Sequence, residues 1–179
     1  MYMSDVTLGT LMAAESAQAA AIAAARLRRL PLSDPALKRL AGATAIYTIA
    51  RGSSDAVAAV LAYEYMRELR VPVTSLPPSV FSLHEGVSMT GAGALVVSQS
   101  GASADLVASA KTARAQGGTV VAITNVQGSA VEAVSELTLG INAGPEKAVP
   151  ATKTVIGGIA AGLALLAAIK PSYAETCEA

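Results

Sequence analysis

The segment Ala94-Leu-Val-Val-Ser-Gln-Ser-Gly-Ala-Ser-Ala-Asp105 joins an apolar run, a polar turn and the first residues of a helical pattern. Because Ala94 to Val97 is apolar throughout, it favours a strand covered on both faces, as in a parallel sheet between helix layers. The serines and glycine that follow predict a turn, and the period of the next residues predicts a helix over Ala104 to Gln116. This stretch therefore indicates one strand–turn–helix unit of an α/β fold.

The same alternation recurs on both sides of this unit. Short apolar runs predict five strands, over 45–50, 71–76, 94–98, 120–124 and 137–141. Helical patterns lie between or after them, over 55–69, 79–85, 104–116, 129–134 and 152–169. We therefore predict a three-layer αβα sandwich with a five-stranded parallel sheet. The flavodoxin-like strand order 2-1-3-4-5 is the simplest one that places strands one and three side by side.

An Ala-rich segment precedes the sheet. It predicts one long helix from Leu8 to Leu30, ended by prolines, and a short helical piece over Pro35 to Ala41. We expect an N-terminal helical segment over 1–42, the α/β domain over 43–170 and a tail over 171–179.

Composition excludes several classes of function. The chain has 179 residues, enough for one domain, and 13 basic residues balance 13 acidic ones, so neither nucleic acid nor a membrane is an expected partner. One cysteine and one histidine cannot build a zinc cluster or a disulfide framework within one chain. No signal peptide is recognisable, and the longest uncharged stretch, Thr154 to Ile169, is 16 residues and predicts a buried helix. We expect a cytoplasmic protein.

Two polar loops predict a binding site for phosphate. Arg51 to Asp55 follows the first strand and Ser98 to Asp105 follows the third, and each leads into a helix. Helix N-terminal N–H groups, serine hydroxyls and glycines that allow close approach together form an anion cradle. The alternative is that these residues are ordinary helix caps and turns. Neither loop has the P-loop or the dinucleotide pattern, so we expect no nucleotide or nicotinamide cofactor.

These residues resemble a known family. The similarity rests on three motifs: Ser98-Gln99-Ser100-Gly101 with Asp105, Gly52-Ser53-Ser54, and 142–146 leading to Thr152-Lys153. The sequence is similar to the sugar isomerase (SIS) domain over about Ala43 to Ile169. The resemblance is strongest to the first SIS domain of glucosamine-6-phosphate synthase-like phosphosugar isomerases and aminotransferases. It implies a five-stranded parallel sheet and a sugar-phosphate ligand, with an amino-sugar phosphate or fructose 6-phosphate favoured.

The resemblance also implies which residues bind that ligand. Ser98, Ser100 and Ser103 would hold the phosphate, and Val149 and Ala151 would close over the sugar. The full implied set is Gly52, Ser53, Ser54, Ser98, Gln99, Ser100, Ser103, Val149 and Ala151. Ala151 stands where many members have serine, so this wall has one hydroxyl fewer.

Catalytic residues are harder to place. Interconverting a ketose and an aldose phosphate needs a base between C1 and C2 and an acid for ring opening. The resemblance implies that these groups belong largely to a second domain or subunit. Within this chain His84, Glu85 and Glu146 are weak candidates, and a structural role is favoured for each. Arg51 could bond phosphate or pair with Asp55.

Two hypotheses follow. The chain is the sugar-phosphate-binding part of a phosphosugar isomerase, deaminase or aminotransferase whose catalytic carboxylate lies elsewhere, or it is a sensor that binds a phosphosugar without chemistry. On either hypothesis the apolar stripe of the N-terminal helix and the apolar segment 152–169 predict a homodimer, or packing on a second SIS domain.

Overall fold

A computed structural model describes residues 9–27 and 34–178. An all-parallel sheet in the order β2-β1-β3-β4-β5 forms its centre. The strands are β1 (Ala45–Ile49), β2 (Val73–Ser75), β3 (Ala92–Ser98), β4 (Thr119–Thr124) and β5 (Leu137–Gly140). The predicted fold class and strand order are confirmed.

Helices cover both faces of the sheet. In chain order they are α1 (Thr10–Ser16), α2 (Ala19–Arg26), α3 (Pro35–Ala41), α4 (Ser53–Leu69), α5 (Ser79–Ser82), α6 (Ala104–Ala115), α7 (Ala130–Val134), α8 (Lys153–Ile169) and α9 (Pro171–Glu178). One apolar core joins α3, α4 and α8 to the sheet, and a second joins α5, α6 and α7 to its other face. Every residue of β3 and β4 is buried, which explains why their sequences are apolar without alternation.

Helix α8 lies inside the subunit. Small residues let it approach its neighbours: a Cβ at Gly157 would lie 2.7 Å from Ile141 and 2.8 Å from Ile22, and one at Gly162 would overlap Leu61. Ten of its residues are buried, which confirms the predicted buried helix. Of the helices that the structure describes, none is long and apolar enough to cross a bilayer.

The N-terminal region differs from the single long helix predicted over 8–30. Leu8 and residues 28–30 lie outside the described residues, and the rest forms two helices separated by a turn at Ala17 and Gln18. Within this turn the Gln18 N–H donates to Glu15 O, three residues back. Both Glu15 and Gln18 bond distant parts of the chain through their side chains. The helix is therefore interrupted where side chains bond distant residues, and the high helix propensity of alanine does not predict this interruption.

The segment predicted as a tail is also ordered. Residues 171–178 form α9, and Tyr173 is buried against the core around α4 and α8. One apolar ring in a polar stretch is a weak sequence signal, and only the packed structure reveals its use.

Candidate functional site

A cavity of about 390 Å³ opens at the carboxyl ends of the central strands. β1 and β3 are paired neighbours, with Ile49 opposite Val96, so the loops that follow them meet at this edge. The first residues of α4, the N-cap of α6 and the first turn of α8 all line the cavity. Three helix N-termini therefore contribute partial positive charge to one place, which favours an anion.

All nine residues predicted to bind ligand line this one cavity. They are Gly52, Ser53, Ser54, Ser98, Gln99, Ser100, Ser103, Val149 and Ala151. Arg51, Glu146 and Lys147 add charged groups, and Val57, Val97, Leu106, Ile141 and Val155 are among its apolar lining residues. The cavity therefore combines a polar cradle with apolar walls, as small-molecule sites do.

The loop from Ser98 to Ser103 is folded by its own hydroxyls. The Gly101 N–H donates to Ser98 Oγ at 3.1 Å, and the Ala102 N–H donates to Ser100 Oγ at 3.3 Å. Ser103 is the N-cap of α6, yet its hydroxyl makes no capping bond. Because the Ser98 and Ser100 oxygens accept from the loop, their protons remain for a phosphate oxygen. The hydroxyl of Ser103 can serve a ligand directly.

Gly101 lets this loop sit against α7. Its φ is +61°, and an added Cβ would overlap Ser129 and lie 2.7 Å from Thr124 Oγ1. The Gly101 carbonyl accepts from the Val131 N–H at 2.9 Å. A left-handed backbone and a close contact thus both require glycine here.

Arg51 joins the two polar loops. Its Nε lies 3.0 Å from Asp105 Oδ2, in the first turn of α6. The partner is therefore Asp105 and not Asp55, the pairing considered from sequence. Arg51 remains more than half exposed and lines the cavity, so it can also reach a ligand anion.

Glu146 caps α8. Its carboxylate accepts from the N–H groups of Thr152 at 2.7 Å and Lys153 at 2.8 Å, and from the hydroxyl of Thr154. Burial by itself would raise the pKa of Glu146, but the Thr154 hydroxyl and the backbone N–H groups outweigh it and lower that pKa. A carboxylate held in its charged form by so many donors is a poor base. This arrangement agrees with the structural role that the sequence favoured.

Residues 147–151, here named the closing loop, form one wall of the cavity. Val149 is 92% exposed, so its side chain stands at the rim. The N–H groups of Lys147 and Ala148 donate to the Glu15 carboxylate at 2.7 and 3.0 Å. Sequence reasoning missed Glu15, although an isolated acid in an Ala-rich helix is a usable signal.

His84 and Glu85, the weak catalytic candidates for which the sequence favoured a structural role, do not line this cavity. α5 ends at Ser82, and both residues line a separate groove beside α6. Gln116, at the end of α6, donates to the Glu85 carbonyl at 2.7 Å. The cavity lies at the opposite end of that twelve-residue helix, about 18 Å away at 1.5 Å per residue.

The site has none of the marks of a metal centre. Across residues 9–27 and 34–178 no three His, Cys, Asp or Glu side chains lie together as ligands. The chemistry on offer is hydrogen bonding and electrostatic attraction from serines, N–H groups and two cations.

A doubly wound sheet with a serine-rich cradle at its switch point defines a protein that binds a small anionic ligand. Comparison with known families then gives the particular family. Residues 39–168 match the SIS domain model, so the chain belongs to the SIS domain family, which confirms the resemblance.

The curated relatives that the chain matches are longer than it is, and so are several of the solved structures. A glutamine–fructose-6-phosphate aminotransferase of Leifsonia xyli is 34% identical over 120 residues, or 67% of this chain and 20% of the relative. A solved structure from Silicibacter pomeroyi, described as a phosphosugar isomerase, is 37% identical with a TM-score of 0.78 and covers 93% of this chain and 51% of its own. The C-terminal domain of the Francisella tularensis glucosamine-fructose-6-phosphate aminotransferase has the same fold, with 20% identity, a TM-score of 0.78, and coverage of 99% and 54%.

Proposed function

We propose that this chain binds a hexose 6-phosphate, with fructose 6-phosphate and glucosamine 6-phosphate as the favoured ligands. The observation that carries the proposal is the convergence of all nine predicted residues on one cavity at three helix N-termini. Its volume of about 390 Å³ fits a monosaccharide phosphate and lies in the range of small-molecule sites. The 37% identical relative described as a phosphosugar isomerase supports the same ligand class.

Within this proposal the two ends of the ligand meet different walls. The serines at 98, 100 and 103 hold the phosphate at the start of α6, where charge and hydroxyls coincide. Ser53, Ser54 and Gln99 bond sugar hydroxyls, and Val149 and Ala151 cover the ring.

The chain acts as the isomerase part of a phosphosugar isomerase, deaminase or aminotransferase. Among the described residues that line the cavity, Glu146 is the only carboxylate, and the α8 N-terminus holds it in its charged form. A base that moves a proton between C1 and C2 therefore comes from a second domain or subunit. The match spans about half the length of the two solved relatives named above, which supports a second domain as the source of that base.

We also expect this chain to self-associate. The dimer prediction requires that the apolar stripe of the N-terminal segment stay exposed in the single subunit. Six of its alanines do so: Ala13, Ala14, Ala17, Ala20, Ala21 and Ala24. The buried segment 152–169, in contrast, covers the sheet and offers little outer surface. Both the dimer and the cytoplasmic location stay predictions. A sedimentation experiment that shows a monomer at tens of micromolar protein would contradict the dimer.

Calorimetric titration with fructose 6-phosphate and glucosamine 6-phosphate, followed by an isomerisation assay, tests the function. Binding without turnover is expected of the chain by itself. Turnover would show that this chain carries the catalytic carboxylate itself. Ligand binding without turnover that changes the affinity of the chain for another protein would favour the sensor hypothesis. If the chain binds neither sugar phosphate, the proposal is wrong.

A further inference from the structure

Helix α1 has one buried residue, and it is charged. Glu15 is 7% exposed, whereas the alanines around it face outward. A carboxylate taken out of water costs free energy unless it gains hydrogen bonds. Glu15 gains them from the backbone N–H groups of Lys147 at 2.7 Å and Ala148 at 3.0 Å. A residue 132 positions away thus fixes the start of the closing loop.

The other end of the closing loop is fixed by a second carboxylate. Glu146 accepts from the N–H groups of Thr152 and Lys153, directly after Ala151. The five residues from 147 to 151 are therefore held at both ends by carboxylate-to-backbone bonds. Of these carboxylate bonds, those of Glu15 come from a distant part of the chain.

Helices α1 and α2 are themselves anchored. The Lys153 Nζ donates to Gln18 Oε1 at 3.0 Å, and Arg26 donates to the Gly140 carbonyl at 3.2 Å. Ile22 packs against α8 at Gly157, where a Cβ would lie 2.8 Å away. These contacts fix the two N-terminal helices against the rest of the subunit, so Glu15 is held in place beside the closing loop.

We propose that Glu15 is the positioning residue for the sugar-covering wall, an inference that rests on the proposed function. Its two bonds go to the closing loop, whereas the serine loop is held by its own hydroxyls and by the Val131 N–H. Loss of the Glu15 carboxylate therefore weakens recognition of the sugar and leaves recognition of the phosphate intact. Through this bond the N-terminal helices belong to the binding site.

The test measures the binding of glucosamine 6-phosphate and of inorganic phosphate to the variants Glu15→Gln and Glu132→Gln by NMR titration. Glu15→Gln turns one carboxylate oxygen into an NH2 group, which faces an N–H and cannot accept from it. If the ordered closing loop falls to about a tenth of the population, the apparent Kd for glucosamine 6-phosphate rises about tenfold. The Kd for inorganic phosphate is expected to stay within about twofold, since the serine cradle is intact.

Glu132→Gln is the matched control. The Glu132 carboxylate also accepts from a backbone N–H, that of Gly128 at 2.6 Å, but in a loop that does not line the cavity. This variant should leave both affinities unchanged. A general loss of stability in Glu15→Gln would weaken both ligands together and would not change their ratio.

Amide exchange supplies the second readout. The Lys147 and Ala148 amides should exchange faster in Glu15→Gln than in the unsubstituted chain, and those of Gly101 and Ala102 should not. Glu15→Asp, with a shorter reach, should give an intermediate result, and it replaces Glu15→Gln if that variant does not fold.

Unchanged glucosamine 6-phosphate affinity in these variants, with the unsubstituted chain binding normally, would overturn the positioning role and leave the proposed function standing. An equal loss for both ligands would also overturn it. If the unsubstituted chain binds neither ligand, the proposed function fails, and the positioning role fails with it.

Discussion

The guanidinium Nε of Arg51 lies 3.0 Å from the Asp105 carboxylate and joins the loop after β1 to the first turn of α6. Asp105 stands at a helix end that we propose to face a phosphate, where an unpaired negative charge would oppose the ligand. Arg51 offsets that charge and lies at the cavity rim. The pair therefore adjusts the electrostatics of the cradle while contributing little to the fold, because exposed ion pairs contribute about 0 to 1 kcal/mol.

Arg51→Ala should weaken sugar-phosphate binding by about fivefold or more at low salt, with the difference shrinking as salt rises. The reason is that the variant removes a cation and exposes the Asp105 charge. Calorimetry at two ionic strengths measures this, and thermal unfolding should shift little.

Asp105→Asn serves as the opposite test of the same pair. It removes the negative charge and releases Arg51 for the ligand, so binding should be unchanged or tighter. Weaker binding in both variants would show that the ion pair itself, rather than the balance of charge, supports the site.

Ser100→Ala and Ser103→Ala should each weaken binding by about 10- to 150-fold, the equivalent of roughly 1.5 to 3 kcal/mol for a hydrogen bond to a charged group. Ser135→Ala is the control, because the Ser135 hydroxyl donates to the Val131 carbonyl outside the cavity. Unchanged affinity in both cradle variants, measured by calorimetry, would end the argument for a phosphate cradle.

Gly101→Ala should destabilise the chain more than Gly128→Ala. Both glycines have positive φ, +61° and +70°, so alanine costs about 1 to 2 kcal/mol of backbone strain at either position. Only at Gly101 does the added Cβ meet Ser129 and Thr124, and overpacking adds roughly 1 to 3 kcal/mol. Urea unfolding of the two variants measures the difference, and equal losses would argue against the close contact.

Glu146→Gln should lower the free energy of unfolding at pH 7, and the difference from the unsubstituted chain should shrink at acid pH. The pKa of Glu146 is lowered in the folded state, so this stabilisation is present above the unfolded value of about 4.3 and is lost as pH falls through the folded pKa. Urea unfolding between pH 7 and pH 3 measures it. Glu175→Gln, at an exposed position, is the control. A difference that persists undiminished at pH 3 would contradict the capping role.

Much of the site could be predicted because it is local. The strand, the Ser-rich turn and the following helix lie together in sequence from Ala92 to Ala115, and the parallel fold brings this unit beside the loop at Gly52. What could not be predicted depends on contacts between distant positions. The partner of Arg51 and the separation of His84 from the cavity are of this kind.

The amino-acid sequence by itself determined the order of strands and helices and the parallel sheet, since apolar periodicity and turn chemistry act over a few residues. The nine expected ligand-binding residues came from the resemblance of the sequence to the SIS family, and all nine line the cavity. The tertiary structure decided how the wall of the cavity is held. Glu15 meets Lys147 and Ala148 only because α2 packs on α8, and Asp105 meets Arg51 only because β1 pairs with β3. Such bonds join groups far apart in the chain, and no local pattern encodes which buried carboxylate will satisfy which N–H.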